Sequence, residues 1–193
     1  MQFFFDPDPG RDTPVVVRMV VEIPKDSKNK YEYEPSVGLF RLSRALYSPM
    51  HYPGDYGFIP GTIAEDREPL DILCLVNAPS FPGCLCQVRP VAVLDMLDGQ
   101  DVDHKIFAVP NRDPRYASIR TLADLDRHIQ LEVEHFFEIY KDLEGRPMQT
   151  RGWRDKEHAY SVIDESRRRY LEFARTQSGV TTELASDNRR EPD

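Results

Sequence analysis

Short apolar runs broken by turn-forming residues fill roughly the first 110 positions of the chain, and a three- to four-residue apolar period takes over after them. Val15 to Ile23 is largely β-branched and is closed by Pro24, which predicts a strand ending near Glu22. Tyr31-Glu32-Tyr33 alternates, Pro35 to Gly38 turns, and Leu39 to Leu46 returns, so Lys30 and Arg44 are expected on neighbouring strands. Ile72 to Val76 reads as a short buried strand with Pro69, which lacks a backbone donor, at its entrance. Leu85 to Leu94 and Ile106 to Val109 are further strands. Between them, His51 to Gly61 is rich in Gly, Pro and aromatics and predicts a stiff loop. Its Tyr56 either turns its hydroxyl inward or packs in the core.

The last third is helical in pattern. Leu125, Ile129, Val133, Phe136, Phe137 and Tyr140 form one apolar face behind a start signal at Thr121 and Asp124. A second helix is expected from about Asp155 to about Arg175, with Ala159, Val162, Ile163, Ser166, Tyr170 and Phe173 on one side and Arg167, Arg168 and Arg169 on a solvated face. Residues 1–13 read as a flexible arm, 14–175 as one domain and 176–193 as a polar, disordered tail. Strands first and helices after predict an α+β chain with a mainly β core: a five-stranded OB-like Greek-key barrel with two principal flanking helices.

Composition narrows the function. The 193 residues are 40% hydrophobic and 30% charged, and net charge is −8 with neutral His. That balance speaks against a nonspecific nucleic-acid binder or a membrane-surface protein, and no segment approaches transmembrane length. Cys74, Cys84 and Cys86 complete no zinc pattern and read as reduced thiols of a cytoplasmic protein.

The chemistry is carried by two acidic stretches. Glu65, Asp66, Glu68 and Asp71 fall within seven residues, just before an apolar strand. Extended geometry would turn Asp66 and Glu68 to one face. Asp95, Asp98, Asp101 and Asp103, followed by Lys105, form a second acidic turn between strands. Alone, either stretch reads as a solvated turn as readily as a site. Together they read as two carboxylate-rich mouths facing across one cavity, where mutual repulsion needs protons or hard cations to offset it. At the end of the first helix, Lys141 suits either a ligand or the helix dipole.

Val21-Glu-Ile-Pro, Lys30-Tyr-Glu, Arg44 with His51-Tyr-Pro-Gly-Asp-Tyr-Gly-Phe-Ile-Pro, Pro69-Leu-Asp, Phe81-Pro-Gly and Tyr140-Lys-Asp-Leu-Glu resemble the soluble family I inorganic pyrophosphatases. The resemblance runs from about Val15 to about Trp153. It implies Mg²⁺-dependent hydrolysis of pyrophosphate, with several ions per site and Mn²⁺ or other divalent cations as substitutes. It implies Asp66, Asp71, Asp98 and Asp103 as metal ligands, Glu22 acting through water, and Glu32 as a weaker outer candidate. Lys30, Arg44, Tyr56, Lys105, Tyr140 and Lys141 are implied as phosphate-binding residues, the first three also serving catalysis. A homo-oligomer is implied as well, hexameric in bacteria and dimeric in eukaryotes, with no nucleic-acid or membrane partner.

One departure stands out. The family pattern Asp-Gly-Asp-Pro-x-Asp is here Asp66-Arg67-Glu68-Pro69-Leu70-Asp71. Glu68 therefore takes the position of the general base, one methylene longer. A misplacement of about 1 Å can cost about 10²-fold in rate. Arg67 replaces glycine and adds strain if the backbone there is left-handed. An active hydrolase is the expectation; a paralogue that binds metal and pyrophosphate but turns over slowly is the alternative.

Overall fold

The computed structural model describes residues 8–146 and 148–187, the stretch 177–187 through its backbone alone. The expected arm and tail therefore lie partly outside the described residues, at 1–7 and 188–193. The described residues form eight strands: β1 (Val17–Ile23), β2 (Asn29–Glu34), β3 (Leu39–Ala45), β4 (Asp55–Ile59), β5 (Leu70–Cys74), β6 (Leu85–Asp98), β7 (Asp101–Pro110) and β8 (Met148–Asp155). Two α-helices follow the barrel strands, α1 (Arg127–Ile139) and α2 (Lys156–Asp187).

Strands β1, β4, β5, β7 and β6 pair in that order, and β6 pairs back onto β1, closing a five-stranded barrel. Only β5 and β7 run parallel within it. The length of β6 explains how one strand serves three partners. Along one edge it pairs with β1 through Leu85–Val88 and then with β8 through Ala92–Asp98, while β7 takes the other edge. The register shifts between Pro90 and Ala92, where proline offers no donor to the ladder. β2 and β3 form a separate two-stranded sheet beside the barrel.

Two elements differ from the sequence reading. The stiff loop at 51–61 contains β4, buried along its whole length and paired with both β1 and β5. Gly57 makes this possible: a Cβ there would lie 1.9 Å from the Val20 carbonyl, so only glycine lets the two strands approach. The Asp55 carboxylate pins the strand's start by accepting from the backbone N–H groups of Lys25 and Ser80 and from the Ser80 hydroxyl. The second addition is β8, whose sequence Met-Gln-Thr-Arg-Gly-Trp-Arg-Asp has no sustained apolar alternation.

Helix ends moved too. Thr121 and Asp124 close a 3₁₀ turn at Leu122–Asp124, and α1 starts only at Arg127, capped by the Asp126 carboxylate accepting from His128 N. α2 runs on to Asp187, into the segment read as a disordered tail.

The period-two alternation of strands distributes the core into two clusters. Ile106 and Ala108 of β7, with Ile72 of β5, pack under Ala159, Val162 and Ile163 of α2. Phe107 and Val109, with Leu73 and Tyr56, pack against Val133, Phe136 and Phe137 of α1. Polar residues at the mouths of these strands inherit the same two faces. Asp71 shares a face with Leu73, and Asp103 and Lys105 share one with Phe107.

Candidate functional site

That inheritance builds one side of a cavity of about 510 Å³. Asp71 leaves β5 and Asp103 and Lys105 leave β7 into the same space. Lys105 is 4% exposed, and its ammonium lies between the two carboxylates, 2.6 Å from Asp103 and in direct contact with Asp71. Burial alone would push Lys105 down, but the two carboxylates more than offset it and hold its pKa above the ordinary lysine value. Asp103 is raised, first by burial and further by Asp71, against the opposing pull of Lys105. The Tyr56 ring lies 5.8 Å from the same ammonium, and burial keeps its hydroxyl protonated well above the usual range.

Facing this wall is the turn that carries Asp66 and Glu68. It is not extended, as alternation would have it, but folded. Ala64 N donates to Glu68 O at 2.8 Å across its neck, and the Asp66 carboxylate accepts from Glu68 N at 2.9 Å. Arg67 sits at φ +72°, the left-handed region where a side chain costs about 1–2 kcal/mol. Both acids nevertheless line the cavity with Asp71. Glu68 is raised above the ordinary carboxylate value by burial and by the neighbouring Asp66 and Asp71.

The second acidic stretch is not a broad turn. β6 runs to Asp98 and β7 begins at Asp101, so only Gly99 and Gln100 lie between them. Asp98 and Asp103 face the cavity, whereas Asp95 binds His104 at 2.9 Å and Arg154 at 3.1 Å away from it. Lys141, at the end of α1, donates to Asp98 at 2.8 Å. Although burial works against it, Lys141 and Arg146 hold the Asp98 carboxyl below the ordinary range. Tyr140 stacks on Phe136 at 5.3 Å between centroids, and Lys141 lies against the Tyr140 ring.

The β2–β3 hairpin closes the remaining side. Lys30 pairs with Glu32 at 3.0 Å, and Arg41 pairs with Glu32 at 2.7 Å. Glu22 accepts from Tyr33 N at 2.7 Å; burial, together with Asp71, raises its pKa to about 7 against that hydrogen bond and Lys30. All but one of the candidate site residues line this cavity. Arg44 does not: its guanidinium donates to Glu144 at 2.8 Å instead. Sequence reading missed Tyr33, Glu34, Arg41 and Tyr52 in the lining. Tyr52 lies inside the His51-to-Pro60 motif, the one available signal for it.

Carboxylates outnumber cations in the lining by eight to four. Burial raises Glu22, Glu68 and Asp103, which hard cations would reverse, so the donor chemistry fits divalent metal. Among the described residues no three His, Cys, Asp or Glu side chains close on one point, since Lys105 lies between Asp71 and Asp103.

Residues 19–171 match the family model described as inorganic pyrophosphatase. The chain belongs to the inorganic pyrophosphatase family. Over 157 residues it is 45% identical to an inorganic pyrophosphatase of Halalkalibacterium halodurans, covering 81% of this chain and 96% of that one. It is 47% identical over 154 residues to one from Methanosarcina mazei, covering 80% and 91%. The crystal structure of inorganic pyrophosphatase from Thermus thermophilus superposes with a TM-score of 0.82 at 42% identity, covering 84% of this chain and 95% of that one. Pyrophosphate hydrolysis and a divalent-metal cofactor follow from membership in the family. No helix among the described residues is long and apolar enough to cross a membrane.

Proposed function

We propose that the protein hydrolyses pyrophosphate to two phosphates with Mg²⁺, using Asp66, Asp71, Asp98 and Asp103 as metal ligands and Glu22 as an outer acid acting through water. The supporting observation is that two acidic stretches, far apart in sequence, line one cavity with Lys30, Lys105 and Lys141. Bound Mg²⁺ offsets phosphate charge and lowers the pKa of the attacking water.

The remaining roles belong to side chains. Glu68, which lines the cavity beside Asp66 and Asp71, accepts the water's proton. Lys105 stays an ammonium and Tyr56 a neutral donor, because their environments hold both protons firmly. These two, with Lys30, Tyr140 and Lys141, hold phosphate oxygens in line for attack, the main demand of phosphoryl transfer. Arg44 joins them by exchanging Glu144 for phosphate. The weakened-paralogue alternative gains nothing from the site, since Glu68 lines the cavity beside Asp66 and Asp71.

We read residues 14–175 as the catalytic domain of a cytoplasmic homo-oligomer, hexameric if the chain is bacterial and dimeric if it is eukaryotic. Phosphate release from pyrophosphate, with and without Mg²⁺, tests the reading. Metal-dependent release is expected, and silence at every Mg²⁺ concentration would sink it.

A further inference from the structure

The run Arg167-Arg168-Arg169 reads as solvated in the sequence, yet Arg167 and Arg169 are half-buried and Arg169 is engaged with a neighbouring turn. Arg169 of α2 donates to the Ile63 carbonyl at 3.1 Å and to the Ser166 hydroxyl at 3.3 Å, both through Nη1. Its Nη2 lies 3.5 Å from Glu65. Ser166, 1% exposed, accepts from Ile63 N at 2.9 Å through its backbone carbonyl. One turn of α2 therefore holds both backbone groups of Ile63 and the first acid of the Glu65–Glu68 turn.

These contacts sit directly behind the proposed metal carboxylates. A narrow cleft separates α2 from the turn, and Asp66 and Asp103 line both that cleft and the main cavity. The other end of the turn is fixed differently: Thr62 donates to Ile59 O and accepts from Leu70 N. Between these anchors the backbone passes through the left-handed Arg67, so the turn's own hydrogen bonds work against local strain and the outside anchors add to them. Arg169 offers a planar fork, which serves a carbonyl and a carboxylate at once; lysine has no such fork.

We propose that Arg169 is a positioning residue for the metal-binding turn, clamping Ile63 and Glu65 so that Asp66 is presented to the cavity. The assignment rests on the pyrophosphatase reading of that cavity. It assigns to α2 a part in metal affinity, although the described side chains of α2 do not line the site.

The test compares the full chain with Arg169→Met, Arg169→Lys and Arg169→Gln. Mn²⁺ binding is followed by electron paramagnetic resonance, and phosphate release is titrated with Mg²⁺. Losing an outer support of a metal ligand typically weakens affinity about 10-fold or more. Arg169→Met is expected to raise the Mn²⁺ Kd by about that factor and the Mg²⁺ requirement in parallel, with kcat at saturating Mg²⁺ close to wild type. Arg169→Lys should recover part of the affinity. A purely structural role would lower thermal stability and kcat and leave the metal requirement in place. Should Arg169→Met fail to fold, Arg169→Gln keeps a donor for Ile63 and carries the same comparison. Unchanged Mn²⁺ affinity in the folded variants would overturn the clamp. A wild type that binds Mn²⁺ but releases no phosphate would remove the pyrophosphatase reading instead, while the Mn²⁺ comparison still decides the clamp.

Discussion

The two acidic stretches deliver carboxylates to one cavity by opposite means. Asp98 and Asp103 stand on β6 and β7, whose ladder fixes their register residue by residue. Asp66 and Glu68 stand on a turn held by a few hydrogen bonds, a left-handed arginine and an anchor from α2. The strand side stays in place because its backbone is already committed. In exchange it buries a lysine between two acids. The turn side is adjustable, and it is where the chain departs from the family pattern, at Arg67 and Glu68. A longer base on a strand would have to move the ladder; on a turn, the loop alone can take up a methylene.

Four substitutions sharpen this contrast. The largest effect is expected from Glu68→Gln, which removes the proposed base and should lower kcat by about 10²–10⁴-fold in a phosphate-release assay. A fall of less than tenfold would mean that another group takes the proton. On the strand side, Gly57→Ala should destabilise by about 3 kcal/mol in urea unfolding, because the added carbon meets the Val20 carbonyl inside a committed pair of strands.

Third comes Glu22, where β1 reaches the cavity. Folding raises its pKa from 4.5 to about 7, so the folded chain keeps a proton that the unfolded chain releases. Its contribution to metal-free stability is full below about pH 4.5 and is lost as pH rises through about 7. Glu22→Gln should flatten that decline in unfolding experiments run with a chelator; an unchanged slope would assign it elsewhere. The smallest effect is expected from Arg67→Gly. Relief of the left-handed side chain should add about 1 kcal/mol, or about 2–4 °C in Tm, partly offset by glycine's freedom when unfolded. A drop in Tm would mean that the Arg67 side chain contributes more than its backbone costs.

Much of this was legible in advance, and the gaps have physical causes. Runs such as Val15–Ile23 and Ile72–Val76 announced barrel strands because both faces of such strands are apolar. β4 was hidden because Gly57 and the flanking prolines look like loop chemistry, although the glycine is there to let β1 approach. β8 was hidden because it covers a sheet edge with polar residues and one tryptophan. Candidate site residues were named through motif resemblance, whereas their pairing was not: nothing in the chain announces that Arg44 meets Glu144 or that Lys105 lies between Asp71 and Asp103. Arg169 looked solvated because a run of three arginines carries no sign of which one faces a neighbouring turn.

The most direct test is a Mg²⁺ titration of phosphate release from pyrophosphate by the wild type beside Asp103→Asn. The account predicts metal-dependent turnover in the wild type and its loss, by more than about 100-fold, when the strand-borne ligand is neutralised. A wild type that stays silent at every Mg²⁺ concentration, or an Asp103→Asn variant that keeps pace with it, would contradict the account.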